Sequence, residues 1–275
     1  MIVRSISRFR WQSVSPAETM RTSSGIHWLF AATNLMLLGG IVQSAPGADD
    51  NGSVQRTILR EKPQEMESGR FLLEISPCYS TYKTNSADWF NAGLLLKANL
   101  GRGWDISLGS DFISYQNPDL GVSDVFVGTK WSFYKQDNLS MALTAYVLFP
   151  TGTKAFREPG IEPTLAFLVS KTLGDFEIGL SIGSTCAADA CGEPLYPDLE
   201  LSLELDYTLD DRNSFSVFAC GYGPDARVGG APRINAGTSY TRVLTRRQSM
   251  GIMLMKGFAD RGLDWSGTLT YSLTF

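Results

Sequence analysis

The sequence has a single histidine, His27, among its 275 residues. It has four cysteines, only 19% charged residues and no excess of positive charge, its formal net charge being −4. It also lacks repeated long apolar runs: only residues 26–42 are apolar enough for a helical span. Mean hydropathy is −0.06, which excludes a bundle of transmembrane helices. What is plentiful is glycine, at 27 residues, with 11% aromatics. That mix suits many strands joined by turns, in one barrel or two modest domains.

The apolar run IHWLFAATNLMLLGGIV is followed by the small residues of QSAPGA. Residues 1–45 therefore read as a signal peptide, cleaved after Ala45 or Ala48. The stretch ahead of the apolar run is long, and Met20 before Arg21 offers an alternative start of ordinary length. A retained helical anchor is the competing reading. The run is short for that and holds Asn34. Removing residues 1–45 takes away four arginines, Glu18 and His27, leaving 20 basic and 27 acidic residues, a net of −7. An acidic mature chain is a poor partner for nucleic acid. Residues 46–68 are polar and without period, and read as a flexible periplasmic lead-in; a plug inside a barrel is the alternative.

From Phe71 to the end the chain alternates. In DLELSLELDYTL, Leu199, Leu201, Leu203, Leu205 and Tyr207 share one face of a strand, and Glu200, Ser202, Glu204 and Asp206 share the other. A helix would scatter those acids. The last segment alternates likewise, from Leu263 to Phe275. Twelve such segments are expected, at about 71–82, 89–100, 103–114, 123–134, 139–150, 161–172, 175–184, 198–208, 213–222, 232–243, 248–258 and 263–275. Each has roughly the 9–11 residues that cross a bilayer at a tilt. Short connections (LGRG, KQDN, LG, DDRN, TRRQ) alternate with longer ones such as TGTKAFREPG, TCAADACGEPLYPD and GPDARVGGA; KTNSAD and DRG are short exceptions. The expected fold, for residues 69–275, is all-β: an antiparallel transmembrane β-barrel of 12 strands, with both termini in the periplasm. A soluble barrel needs an apolar interior, and these polar rows would fill it badly. Trp89, Phe90, Trp104, Tyr134, Tyr207 and Trp265 lie near strand ends and suit interfacial girdles.

Parity turns Glu74, Lys97, Asp111, Asp124, Lys130, Glu177, Glu200, Glu204, Asp206 and Arg233 inward as candidate lumen-lining residues, with Leu148, Leu168 and Phe218 among them. Their acidic excess favours cations or neutral solutes over anions; the bland alternative is a lumen stitched shut by ion pairs. Lys171 and Arg242 fall on the lipid face, near strand ends where they can reach headgroups. Cys186 and Cys191 share one long loop and are candidates for a small disulfide, with two free thiols as the alternative. Cys78 and Cys220 lie on separate strands, and their pairing is left open. No metal site or cofactor is expected.

The segments GVSDVFVGTKWSFY, ALTAYVLFPTGTKAF and PTLAFLVSKTLGDFEIGLSIG resemble the outer-membrane family named after the meta-cleavage (MetA) pathway of phenol degradation. The likeness rests on Gly121 with Asp124, on Pro150, Thr151 and Gly152, and on the tight turn at Leu173, Gly174 and Asp175; it covers mainly residues 120–185. It implies an outer-membrane transport channel passing hydrophobic or aromatic compounds. Enzymes among outer-membrane barrels resemble one another in relying on histidine, which the mature chain lacks, so no enzyme is expected.

The function expected is passive uptake of small, hydrophobic or aromatic solutes across a Gram-negative outer membrane. The alternative is a closed structural or adhesive barrel acting through its extracellular loops. Expected partners are membrane lipid, lipopolysaccharide, the small-molecule solute and the outer-membrane assembly machinery, which reads a terminal aromatic such as Phe275.

Overall fold

The computed structural model describes residues 62–63, 66, 69–83, 88–187, 196–223, 232–259 and 262–275. The expected signal peptide lies outside them.

The alternating segments form thirteen strands: β1 (Phe71–Tyr82), β2 (Asp88–Gly101), β3 (Trp104–Gln116), β4 (Asp119–Gly121), β5 (Val125–Gln136), β6 (Leu139–Phe149), β7 (Glu162–Leu173), β8 (Phe176–Ala187), β9 (Tyr196–Thr208), β10 (Asn213–Tyr222), β11 (Arg233–Thr245), β12 (Gln248–Gly257) and β13 (Leu263–Thr274). Every pairing is antiparallel, and β1 pairs with both β2 and β13, so twelve strands close into a barrel. The extra strand, β4, has three residues and pairs with β3 alone. The sequence pattern missed it because three residues are too few to show a period.

The two ends of the ladder meet directly. Phe275 N donates to Phe71 O at 2.9 Å, and Phe71 N to Phe275 O at 3.4 Å. The short turns share this rim. Between β7 and β8 the turn is two residues, and Gly174 takes a φ of +64°, a left-handed conformation that glycine adopts without Cβ strain.

Burial inverts the logic of a soluble protein. On β9, Leu199, Leu201 and Leu203 are 63%, 50% and 54% exposed, while Glu200, Ser202, Glu204 and Asp206 are buried. Eight other long strands repeat this alternation of exposed apolar and buried polar or small residues closely enough to see in the burial pattern, β2 and β3 among them. Such an arrangement is stable only where the outside is hydrocarbon and the inside is polar.

Near the short-turn rim the outer face carries an aromatic belt. Trp104 and Trp131 stack at 5.6 Å, Trp131 meets Phe133 at 5.4 Å, and Phe176 stacks on Tyr207 at 4.7 Å. Tyr134 is also exposed there, and Phe90 and Trp265 are exposed near the opposite, long-loop rim. Trp89 is not: it is buried inside, edge-on to Tyr82 at 6.1 Å and to Phe156 at 5.8 Å. Its expected place in the girdle is thus corrected. It shares the parity of Lys97 on the same strand, and both point in.

Candidate channel interior

All ten candidate residues are buried within the barrel. Glu74 lies on β1, Lys97 on β2, Asp111 on β3, Lys130 on β5, Glu177 on β8, Glu200, Glu204 and Asp206 on β9, and Arg233 on β11. Asp124 is not in a strand, although the expected span of 123–134 put it there; β5 begins at Val125.

The charged side chains meet partners across strands. Lys130 Nζ is 3.1 Å from Asp105, whose other oxygen accepts from Asn99 at 2.8 Å. Asn91 donates to Asp111 at 2.8 Å, and Ser272 to Glu74 at 3.0 Å. Glu177 stands directly opposite Asp206 in the β8–β9 register. Two like charges so placed repel. A cation sits with them: Lys62 Nζ is 2.6 Å from Asp206 and 3.6 Å from Glu177. Ser216 also donates to Asp206.

Lys62 belongs to the segment expected to be a flexible periplasmic lead-in. The described residues of that segment bear on the choice between a lead-in and a plug. Lys62, Pro63 and Met66 are buried. The Lys62 carbonyl accepts from Lys130 Nζ at 3.1 Å, and the Pro63 carbonyl from Ser132 Oγ at 2.6 Å. Met66 joins a buried cluster with Leu72, Leu95, Phe126 and Tyr146. The physical reason is complementarity. The β8–β9 acids need a cation, and the apolar floor needs covering. An aperiodic segment carries no face to read, and the pairing of Lys62 with the acids depends on non-local register.

The barrel wall has an irregular seam at the long-loop end. β3 pairs with β5 over six residues only, Trp104–Gly109 with Phe126–Trp131. Beyond that, β3 is met by a Ser123 N to Asp111 O bond at 3.0 Å and by the three residues of β4, and side chains tie the adjoining loop to the wall. Asp124 accepts from Gly152 N at 2.6 Å and from Glu158 N at 2.7 Å. Thr151 Oγ1 accepts from Val125 N at 2.9 Å, and Thr153 Oγ1 from Val122 N at 3.2 Å. The Gly121, Asp124, Thr151 and Gly152 motif thus pins the 150–158 loop to the wall. A Cβ on Gly121 would stand 1.9 Å from Thr153 Oγ1, which excludes any larger residue without a shift.

The remaining inward apolar residues fall on three patches. Leu148 packs against the Met66 cluster, and Leu168 is fully buried beside Ala142 and Ala166. Phe218 belongs to a larger patch with Tyr222, Met253 and Met255 on β10–β12. Cys78 and Cys220 are both buried, on strands that are not neighbours, and Cys220 Sγ accepts from the Tyr222 hydroxyl at 3.4 Å. Cys186 lies at the long-loop end of β8, and Cys191 is outside the described residues. Lys171 and Arg242 are exposed on the outer face.

A closed barrel with an apolar outside and a hydrogen-bonded polar inside has the fold of an outer-membrane channel. It is similar to an outer-membrane channel (COG4313) from Pseudomonas putida F1, with a TM-score of 0.64 at 15% identity, over 78% of this chain and 98% of that one. It also resembles the NanC porin (TM-score 0.54, 13% identity, 74% and 98% covered) and the KdgM porin solved with oligogalacturonate (TM-score 0.54, 9% identity, 74% and 99% covered). No curated protein matches the chain in sequence. Residues 78–275 match the family described as "Putative MetA-pathway of phenol degradation", and the chain belongs to that family.

Proposed function

We propose that this protein is an outer-membrane channel for passive uptake of small, apolar or aromatic solutes. One observation carries the reading: the interior holds a buried apolar wall of Phe218, Tyr222, Met253 and Met255. A pore for ions needs polar groups along its path. An apolar wall inside a polar barrel instead matches a solute that sheds its water on entry. Family membership and the likeness to a Pseudomonas channel support the same reading. The seam beside β5, where the long ladder gives way to the three-residue β4 and a few separate bonds, offers a side route for solutes that partition into lipid.

On this reading residues 1–45 direct export, the short-turn rim faces the periplasm, and Phe275 presents the assembly signal. The inward charges line and stitch the lumen, and no catalytic step is assigned to any of them. The loop pair Cys186 and Cys191 would brace the outer mouth.

The lead-in favours the rival reading of a closed barrel, because Lys62 and Met66 occupy lumen space. Liposomes separate the two. Purified protein should speed the entry of toluene or a similar small aromatic by at least several-fold over empty liposomes. Entry at the background rate for aromatics, ions and sugars alike would leave the closed barrel as the answer.

A further inference from the structure

Toward the long-loop end, β10, β12 and β13 turn one apolar cluster inward. It comprises Phe218, Cys220, Tyr222, Met253, Met255 and Leu263, with Tyr82 of β1 packed against it. Two glycines shape the patch. A Cβ on Gly237 would lie 2.5 Å from Phe218 Cζ, so the ring reaches across β11 and lies on that glycine. A Cβ on Gly257 would lie 3.0 Å from Asn235 Oδ1, so the Asn235 amide lies over β12 in the same way. Ring and amide are both held against the wall.

Three buried polar atoms border the patch with no hydrogen-bond partner among the described residues: Asn235 Nδ2, the Tyr82 hydroxyl and Ser266 Oγ. The register gathers them. Ser266 is opposite Met255, and Met255 is opposite Gly237. Asn235 is opposite Gly257, and Tyr82 is opposite Leu263. Leaving one buried polar group unmatched costs about 1–3 kcal/mol. Three around one apolar surface mark a place where something else completes the bonding.

The chemistry of the occupant follows. An amide nitrogen only donates, and the two hydroxyls can donate. The occupant must therefore offer acceptor oxygen, which excludes a bare cation. The carbon and sulfur surface beside the donors favours an apolar body. We propose that this patch is a binding subsite for a small aromatic or alicyclic compound carrying a carbonyl or hydroxyl oxygen. The oxygen accepts from two of the Asn235, Tyr82 and Ser266 donors, and the ring lies along Phe218 and Met255. The proposal rests on the channel reading, to which it adds the solute's chemistry. A site built to hydrogen-bond an oxygen discriminates strongly against the analogue lacking it.

The probes are acetophenone and ethylbenzene, which differ in that one carries a carbonyl. Binding is measured by equilibrium dialysis of the full chain in nanodiscs against empty nanodiscs. The expected result is at least ten-fold tighter binding of acetophenone. Asn235→Leu and Tyr82→Phe should each reduce that preference several-fold and leave ethylbenzene binding unchanged. Equal binding of the two probes to the unaltered protein, as when water alone fills the site, overturns the proposal. So does a preference that survives both substitutions. Folding is followed by the heat-dependent gel shift of the barrel. Should Asn235→Leu fail to fold, Tyr82→Phe and Ser266→Ala carry the test, and an undiminished preference in both overturns it. Liposome uptake of the same two compounds judges the channel separately. No uptake with the preference intact sinks the channel and supports the site; uptake with no preference does the reverse.

Discussion

The inner surface of the barrel has two unlike walls. Along β8 and β9 it is ionic: Glu177 faces Asp206, and Lys62 bridges them. Along β10 to β12 it is ring and sulfur: Phe218, Tyr222, Met253 and Met255. The ionic wall is completed by the chain itself, from a segment that precedes the barrel. The apolar wall is bordered by Asn235, Tyr82 and Ser266, whose donors no described residue satisfies. A wall of charges cannot be left open, because an unpaired buried charge costs several kcal/mol. A wall of carbon can, at a lower cost. Lys62 therefore docks on the first wall, and the candidate solute surface is the second.

The sharpest break of this contrast is at Lys62. Lys62→Ala leaves Glu177 and Asp206 facing each other without their cation. Loss of a buried partner costs about 3–5 kcal/mol. Much of that should appear as release of the lead-in. Single-channel conductance should rise several-fold, with stronger cation preference; an unchanged conductance would mean that Lys62 does not hold the segment.

Met66→Ala tests the apolar anchor of the same segment. Truncating a buried methionine costs about 2–5 kcal/mol, the low end where the site can collapse. Conductance should increase less than for Lys62→Ala and without a change in ion preference. A larger increase than Lys62→Ala would reverse the ranking of the two anchors.

On the adjoining apolar wall, Gly237→Ala sets a Cβ 2.3 Å from Leu254 O and 2.5 Å from the Phe218 ring. Overpacking of this kind costs about 1–3 kcal/mol. The ring should be driven into the lumen, slowing aromatic uptake while ion conductance changes little. Equal slowing of both would show that the two walls are not separate paths.

The smallest effect lies outside both walls, at Asp210 in the β9–β10 turn. Hydrogen bonds from Asn213 and the Arg212 amide hold its carboxyl below the usual carboxylate range. A lowered folded-state value contributes stability above the ordinary carboxylate range, lost as pH falls through the folded value. Amide exchange at Arg212 and Asn213 should therefore quicken only on strong acidification, and Asp210→Asn should remove that dependence. An effect at neutral pH would point to another group.

Much of this architecture is legible in the residues. Leu199 to Tyr207 reads as a strand with lipid on one side because side chains alternate with a period of two, whatever the strand's neighbours. The same local rule turns Glu74, Lys130 and Arg233 inward. Trp89 shows the rule being overlooked: position near a strand end suggested a girdle, and its parity with Lys97 already put it inside. Asp124 and the three-residue β4 show its limit, since neither belongs to a run long enough to carry a period. Lys62 shows what no local rule reaches.

By itself, then, the sequence determined the strands, their two faces and the environment each face requires. These are decided residue by residue, by pleat and polarity. Only the tertiary structure decided who meets whom: Lys62 with Asp206, 144 positions apart, Phe71 with Phe275 across the closing seam, and Phe218 over Gly237. Such meetings depend on register and closure, and those are properties of the whole ring of strands.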